Sequence, residues 1–211
     1  MDLTVDLPSL YLISDRSQAG RRPLLEALEL ALEGGVRLIQ LREKDLSGRE
    51  MLELAAQVRG LTARYGARLL INDRIDIAIA VDADGVHLPA SSFNPIDARR
   101  LVGRDKILGV SAHSEEDVVR AEREGADFVT FSPIYNTPSK AGYGEPQGLD
   151  RLEEVCRKVN IPVYALGGIK LEKVKDAVGR GASGVAMISA ILGAEDVKEE
   201  TLKLLESLNE V

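Results

Sequence analysis

Apolar residues along this chain fall in short, nearly continuous runs, and amphipathic segments with a 3.6-residue apolar period separate them. The runs are Leu10–Ser14, Val36–Leu41, Arg68–Ile71, Gly85–Leu88, Ile107–Ser111, Phe128–Phe131, Pro162–Leu166 and Gly184–Ile188. Runs of this kind suit strands buried on both faces. The segments between them predict helices over Pro23–Leu32, Ser47–Tyr65, Asp73–Val81, Pro95–Leu101, Ser114–Glu124, Leu149–Val159 and Leu171–Gly179, with a last one from about Glu195 to Leu208. Ser47 followed by Glu50 forms a capping box, and Ser114 is placed to cap the fifth helix. The turns EGGVRLIQ, DADGVHL, EGADFVTF and RGASGVAM repeat one device: a small or acidic turn, then an apolar run. Eight strands, each followed by a helix, predict a single-domain (β/α)8 TIM barrel spanning residues 1–211. The competing arrangement is an open doubly wound sheet. It has no need of eight near-equal units, and no G-x-G-x-x-G opens a helix here.

Composition narrows the function classes. The 211 residues suit one large core, and no Pro/Gly/Ser-rich linker divides them. A formal net charge of −7 argues against a broad nucleic-acid or membrane surface and permits a local anion site. The lone Cys156 reads as a buried thiol in a reducing compartment. The N-terminal stretch, with Asp2 and Asp6, reads as neither signal peptide nor membrane span, so a cytoplasmic protein is expected, with self-association left open.

In such a barrel, active sites lie at the C-terminal ends of the strands. Strand two ends in Gln40, Arg42 and Lys44, which strand alternation would set on one side; two cations and an amide suit a diphosphate. Strand three ends in Asn72 and Asp73. Asn72 can bind a ligand, and Asp73 is either a hard-metal ligand or the N-cap of the next helix. His87 on strand four reads as a packed histidine, with Ser91 or Ser92 capping the helix after Pro95. His113, just past Ser111 on strand five, stands where a general acid/base would sit, or else packs under a loop. The long loop Asp127–Gly148 carries Thr137, Ser139, Lys140 and three glycines, and suits closure over an anion. Gly167-Gly168 after strand seven and Ile188-Ser189 after strand eight predict a phosphate cradle. No H-E-x-x-H, C-x-x-C or Ser-His-Asp order supports a zinc or hydrolase reading.

These motifs together resemble the thiamine-phosphate synthase/TenI superfamily. The resemblance runs from LYLISDR at 10–16 to GVAMISAI at 184–191. It is carried by QLREK (40–44), INDRIDIAIA (71–80), DGVHL (84–88), GVSAHS (109–114), SPIYNTPSK (132–140) and ALGGI (165–169). The synthase branch implies transfer of a hydroxymethylpyrimidine group from its diphosphate to a thiazole phosphate, assisted by Mg²⁺. Gln40, Arg42, Lys44 and Asn72 then match positions holding the pyrimidine diphosphate, Asp73 matches a Mg²⁺ ligand, and Ser111 and Lys140 approach the diphosphate. Thr137 and Ser139 match the thiazole-phosphate loop, with serine where threonine is usual at 139, and Gly168 and Ser189 match the phosphate cradle. Synthases usually follow the histidine-leucine of strand four with Gly-Gln and acidic residues, one of them a second metal ligand. Here Pro89-Ala90-Ser91-Ser92 stands instead and resembles the TenI branch, whose thiazole tautomerases need no metal and whose catalytic histidine matches His113. A third possibility is a non-catalytic binder of a phosphorylated ligand on a retained barrel.

Overall fold

The computed structural model describes residues 6–137 and 145–210. Eight parallel strands close into one barrel in sequence order: β1 Leu10–Ile13, β2 Leu38–Leu41, β3 Arg68–Asn72, β4 Gly85–Leu88, β5 Ile107–Ala112, β6 Phe128–Phe131, β7 Val163–Leu166 and β8 Gly184–Met187. Parallel neighbours need crossovers, and the amphipathic segments supply them. The helices are α1 Leu24–Glu33, α2 Gly48–Arg64, α3 Ile75–Ala80, α4 Pro95–Val102, α5 Glu115–Arg123, α6 Gly148–Lys158, α7 Val174–Gly179, α8 Ser189–Leu192 and α9 Val197–Asn209. Ser47 and Glu50 form the expected capping box on α2, and Ser114 accepts from the Asp117 amide to start α5. The repeated helix-to-strand turns reverse through Gly35, Gly125 and Gly181, all with positive φ, while Asp82 does the same work before β4.

Strand alternation sorts the core into two layers. Leu10, Leu12, Ile39, Leu41, Leu69 and Ile71 face outward against the helices. Tyr11, Ile13, Leu38, Leu70, Phe128 and Tyr164 fill the barrel interior. Gly109 makes room for that filling: a Cβ there would lie 2.6 Å from His87 Nδ1 and against the Phe128 ring. The same inward positions continue upward to polar residues. Gln40, Asn72, His87, Ser111 and Thr130 are the last inward side chains of β2 to β6, with Asn72 opposite His87 and Ser111 opposite Thr130 in register. Cys156 is half-buried, and burial pushes its thiol up to about 11, well out of the reactive range. Among the described residues no helix is long and apolar enough to cross a membrane.

Candidate active site at the C-terminal mouth of the barrel

β2 ends at Leu41, so pleat alternation does not carry Arg42 and Lys44, contrary to the sequence expectation. The loop brings them together instead. Gln40 is buried, and its Nε2 donates to Tyr11 Oη at 2.8 Å. The Arg42 amide donates to Ser14 Oγ at 2.8 Å, and Ser14 Oγ donates to Glu43 Oε1 at 2.7 Å. Glu43 Oε2 also accepts from the Arg16 amide at 3.1 Å. Burial pushes the Glu43 carboxyl above its ordinary pKa, against these hydrogen bonds. This buried carboxylate ties the β1 and β2 exits together and fixes the backbone that carries both cations. Arg42 lowers the pKa of Lys44, burial adds to that, and Asp73 opposes it, so the three charges share one neighbourhood. Arg42 and Lys44 line a cavity of about 730 Å³ with Asp15, Arg16 and Arg22. Arg16 and Arg22 are ion-paired to Asp45 and Glu26, whereas neither Arg42 nor Lys44 has a carboxylate partner among the described residues. Two uncommitted cations beside one another favour a polyanionic ligand.

Asp73 does not cap α3. Arg74 holds the N-cap position without a side-chain bond, and the helix starts at Ile75. Asp73 is exposed, has φ of 63°, and accepts a short hydrogen bond from Ser92 Oγ. Ser92 likewise does not cap α4, where Asn94 stands at the N-cap. The segment that would bring a second carboxylate therefore brings a hydroxyl, directly onto Asp73. One carboxylate and a neutral oxygen fit a hard cation such as Mg²⁺, which keeps waters and takes few protein ligands. Among the described residues no three His, Cys, Asp or Glu side chains gather as a metal cluster.

His87 is 1% exposed and hydrogen-bonded on both ring nitrogens, the packed histidine expected. Burial, aided by the Arg42 charge, pushes its pKa down to about 3, so the ring is neutral. His113 follows β5 directly. Its Nδ1 lies 2.8 Å from the Ser132 carbonyl oxygen, which can only accept, so Nδ1 is the donor of this hydrogen bond. Gln147 Nε2 donates to the His113 carbonyl at 2.8 Å, and the Asp117 carboxylate accepts from its amide. Tyr11, Ser14, Glu43, Thr130 and Ser132 escaped the sequence reading. The available signal was a polar atom at an inward position of an apolar run, as Tyr11 in LYLI and Thr130 in FVTF.

Across the mouth, a cavity of about 830 Å³ is lined by Asn136, Thr137, Gly168, Ile188 and Ser189 and extends toward α9. The amides of Ile134 and Tyr135 donate to the carbonyls of Leu166 and Gly167 at 3.0 Å each, which ties the β6 exit to β7. Gly168 has φ of 68°, and a Cβ there would lie 2.7 Å from Tyr135 Cβ. Gly168→Ala should therefore cost about 1–2 kcal/mol in backbone strain alone. It should also displace the 135–137 segment, and if this cavity receives a phosphorylated substrate the variant raises KM for it with kcat less affected. The mouth thus divides into a cationic side and a glycine-lined side; Ser111 lines a small hollow beside Ser92 rather than either cavity. Ser139 and Lys140 lie outside the described residues.

The comparisons with known proteins agree with this geometry. The sequence profile of the family described as thiamine monophosphate synthase matches residues 10–191. A Geobacter sulfurreducens protein, provisionally named a thiamine-phosphate synthase, is 54% identical over 95% of this chain and 94% of its own. The thiamine-phosphate synthase of Clostridium novyi is 44% identical over 90% of this chain and 93% of its own. The structure of thiamine phosphate pyrophosphorylase from Pyrococcus furiosus superposes with a TM-score of 0.88 at 37% identity and covers 96% of each chain. With its closed barrel, its two-sided mouth and these relatives, the chain belongs to the thiamine monophosphate synthase family.

Proposed function

We propose that this protein transfers a hydroxymethylpyrimidine group from its diphosphate to the ring nitrogen of 4-methyl-5-(2-phosphooxyethyl)thiazole. The carbon–oxygen bond to diphosphate breaks, a carbon–nitrogen bond forms, and diphosphate leaves. The observation that carries this reading is the pair of uncommitted cations, Arg42 and Lys44, beside Asp73 and across the mouth from the glycine-lined cavity. The leaving group develops charge as the bond breaks, so fixed cations stabilise the transition state more than the ground state. Gln40 and Asn72 hold the pyrimidine end, with Ser111 and Lys140 toward the diphosphate. Thr137, Ser139, Gly168, Ile188 and Ser189 take the thiazole phosphate. Asp73, with the Ser92 hydroxyl, would hold Mg²⁺, whose chemistry there is neutralisation of the departing diphosphate.

Two observations favour a second reading, aromatisation of a carboxythiazole phosphate by proton transfer. Ser92 stands on Asp73 where a carboxylate would strengthen a metal site, and His113 stands just past β5, its ring held by the Ser132 carbonyl. The His113→Ala variant separates the two. Under the transferase reading it forms thiamine phosphate within about threefold of wild type. Under the isomerase reading it loses aromatisation by roughly 10²-fold or more, the usual contribution of a positioned acid/base. Loss of thiamine phosphate formation in that variant would give His113 a part in the transfer itself.

A further inference from the structure

Four side chains from four strands form one hydrogen-bonded chain beneath the mouth. Gln40 Nε2 donates to Tyr11 Oη at 2.8 Å, Tyr11 Oη lies 3.2 Å from His87 Nδ1, and His87 Nε2 lies 3.0 Å from Ser111 Oγ. Gln40, Tyr11 and His87 are buried, and Ser111 is half-exposed. The chain rests on an aromatic floor: the Tyr11 ring meets Phe128 and Tyr164 edge-on at 5.5 and 5.9 Å.

Burial keeps the imidazole neutral and the Tyr11 phenol protonated. A neutral imidazole has one N–H and one lone pair, and a phenol has one proton. Tyr11 Oη already accepts from Gln40, so its own proton points to Nδ1. Nδ1 is then the acceptor, and the ring proton rests on Nε2. Nε2 donates to Ser111 Oγ, with Thr130 Oγ1 at 3.5 Å as a weaker second neighbour. Ser111 Oγ accepts from Nε2, so its own proton is left free of the chain. At the other end, Gln40 has turned its amide nitrogen inward and keeps its carbonyl oxygen for the ligand.

We infer that His87 is a positioning residue, held as its Nε2–H tautomer by Tyr11, and that this chain makes Ser111 a donor and Gln40 an acceptor toward the substrate. The opposite polarity would reverse both ends. The amino group of an aminopyrimidine donates to the Gln40 oxygen, and a diphosphate, which offers acceptors only, takes the Ser111 proton. The match to the pyrimidine rests on the transferase reading; the polarity of the chain does not.

The protein has two histidines, so ¹⁵N-histidine labelling of the full chain gives two ring systems, and His113→Asn identifies which belongs to His87. The His87 ring should show the Nε2–H pattern, unchanged between about pH 5 and 8 where an ordinary histidine titrates. An Nδ1–H pattern, or titration of that ring in this range, overturns the inference whatever the activity. Tyr11→Phe removes the proton that holds Nδ1 as acceptor. It should yield mixed tautomers and raise KM for the pyrimidine diphosphate about tenfold, with KM for the thiazole phosphate unchanged. An intact Nε2–H pattern with equal rises in both KM values would reduce Tyr11 to packing and overturn its positioning role. If wild type forms no thiamine phosphate, the transferase reading fails and the NMR spectra alone decide the polarity.

Discussion

Replacing Asp73 by alanine should lower the rate of thiamine phosphate formation by roughly 10²–10³-fold, the scale on which single charge-stabilising groups act in such sites. The side chain has little structural work to lose. It caps no helix, joins no ion pair among the described residues, and its one side-chain hydrogen bond comes from Ser92. The backbone does need attention, because Asp73 has φ of 63°, a conformation that Asp and Asn adopt more readily than alanine. Asp73→Asn keeps that preference and removes only the charge, so it should lose nearly as much rate while melting near wild type. Rates measured against Mg²⁺ concentration should show the metal response weakened in both variants. Full rates in both would remove Asp73 from the site.

Arg42→Ala is expected to cost about 1.5–3 kcal/mol, the range for a hydrogen bond to a charged group, which is roughly 10- to 100-fold in kcat/KM for the pyrimidine diphosphate. Among the described residues Arg42 has no carboxylate partner, so its removal should leave stability nearly unchanged. Arg42→Lys should recover part of the loss, since it restores the charge and not the planar fork. The backbone that aims Arg42 is held through Ser14 by the buried Glu43, so truncation of Glu43 should mimic Arg42→Ala more weakly, with a fall in melting temperature. Steady-state kinetics with each substrate varied in turn would separate these effects. An unchanged kcat/KM in Arg42→Ala would locate the diphosphate elsewhere.

The barrel was legible because closure buries both faces of every strand. Runs such as LYLI and FVTF then have no polar alternation to hide, and the helices between them keep their own period. Strand ends were less legible. Alternation suggested that Gln40, Arg42 and Lys44 share a face, yet β2 stops at Leu41, and a loop braced by a buried glutamate gathers the cations. The cap readings of Asp73 and Ser92 failed for one reason: local spacing describes chain neighbours, and these two side chains satisfy each other across 19 positions. The hydrogen-bond chain under the mouth was invisible for the same reason. Its members come from β1, β2, β4 and β5, and only closure of the barrel brings Tyr11 to His87 across 76 positions. The need for glycine after β7 was readable because consecutive glycines after a strand have few uses, and here a Cβ on Gly168 would lie 2.7 Å from Tyr135 Cβ.

The most direct test of the central claim is a two-substrate assay of the purified full chain, with and without Mg²⁺, followed by ³¹P NMR. The account predicts that thiamine phosphate and diphosphate appear together in equal amounts, and only when the metal is present. Absence of both products, under conditions where a known synthase turns over and this protein aromatises a carboxythiazole phosphate, would contradict it.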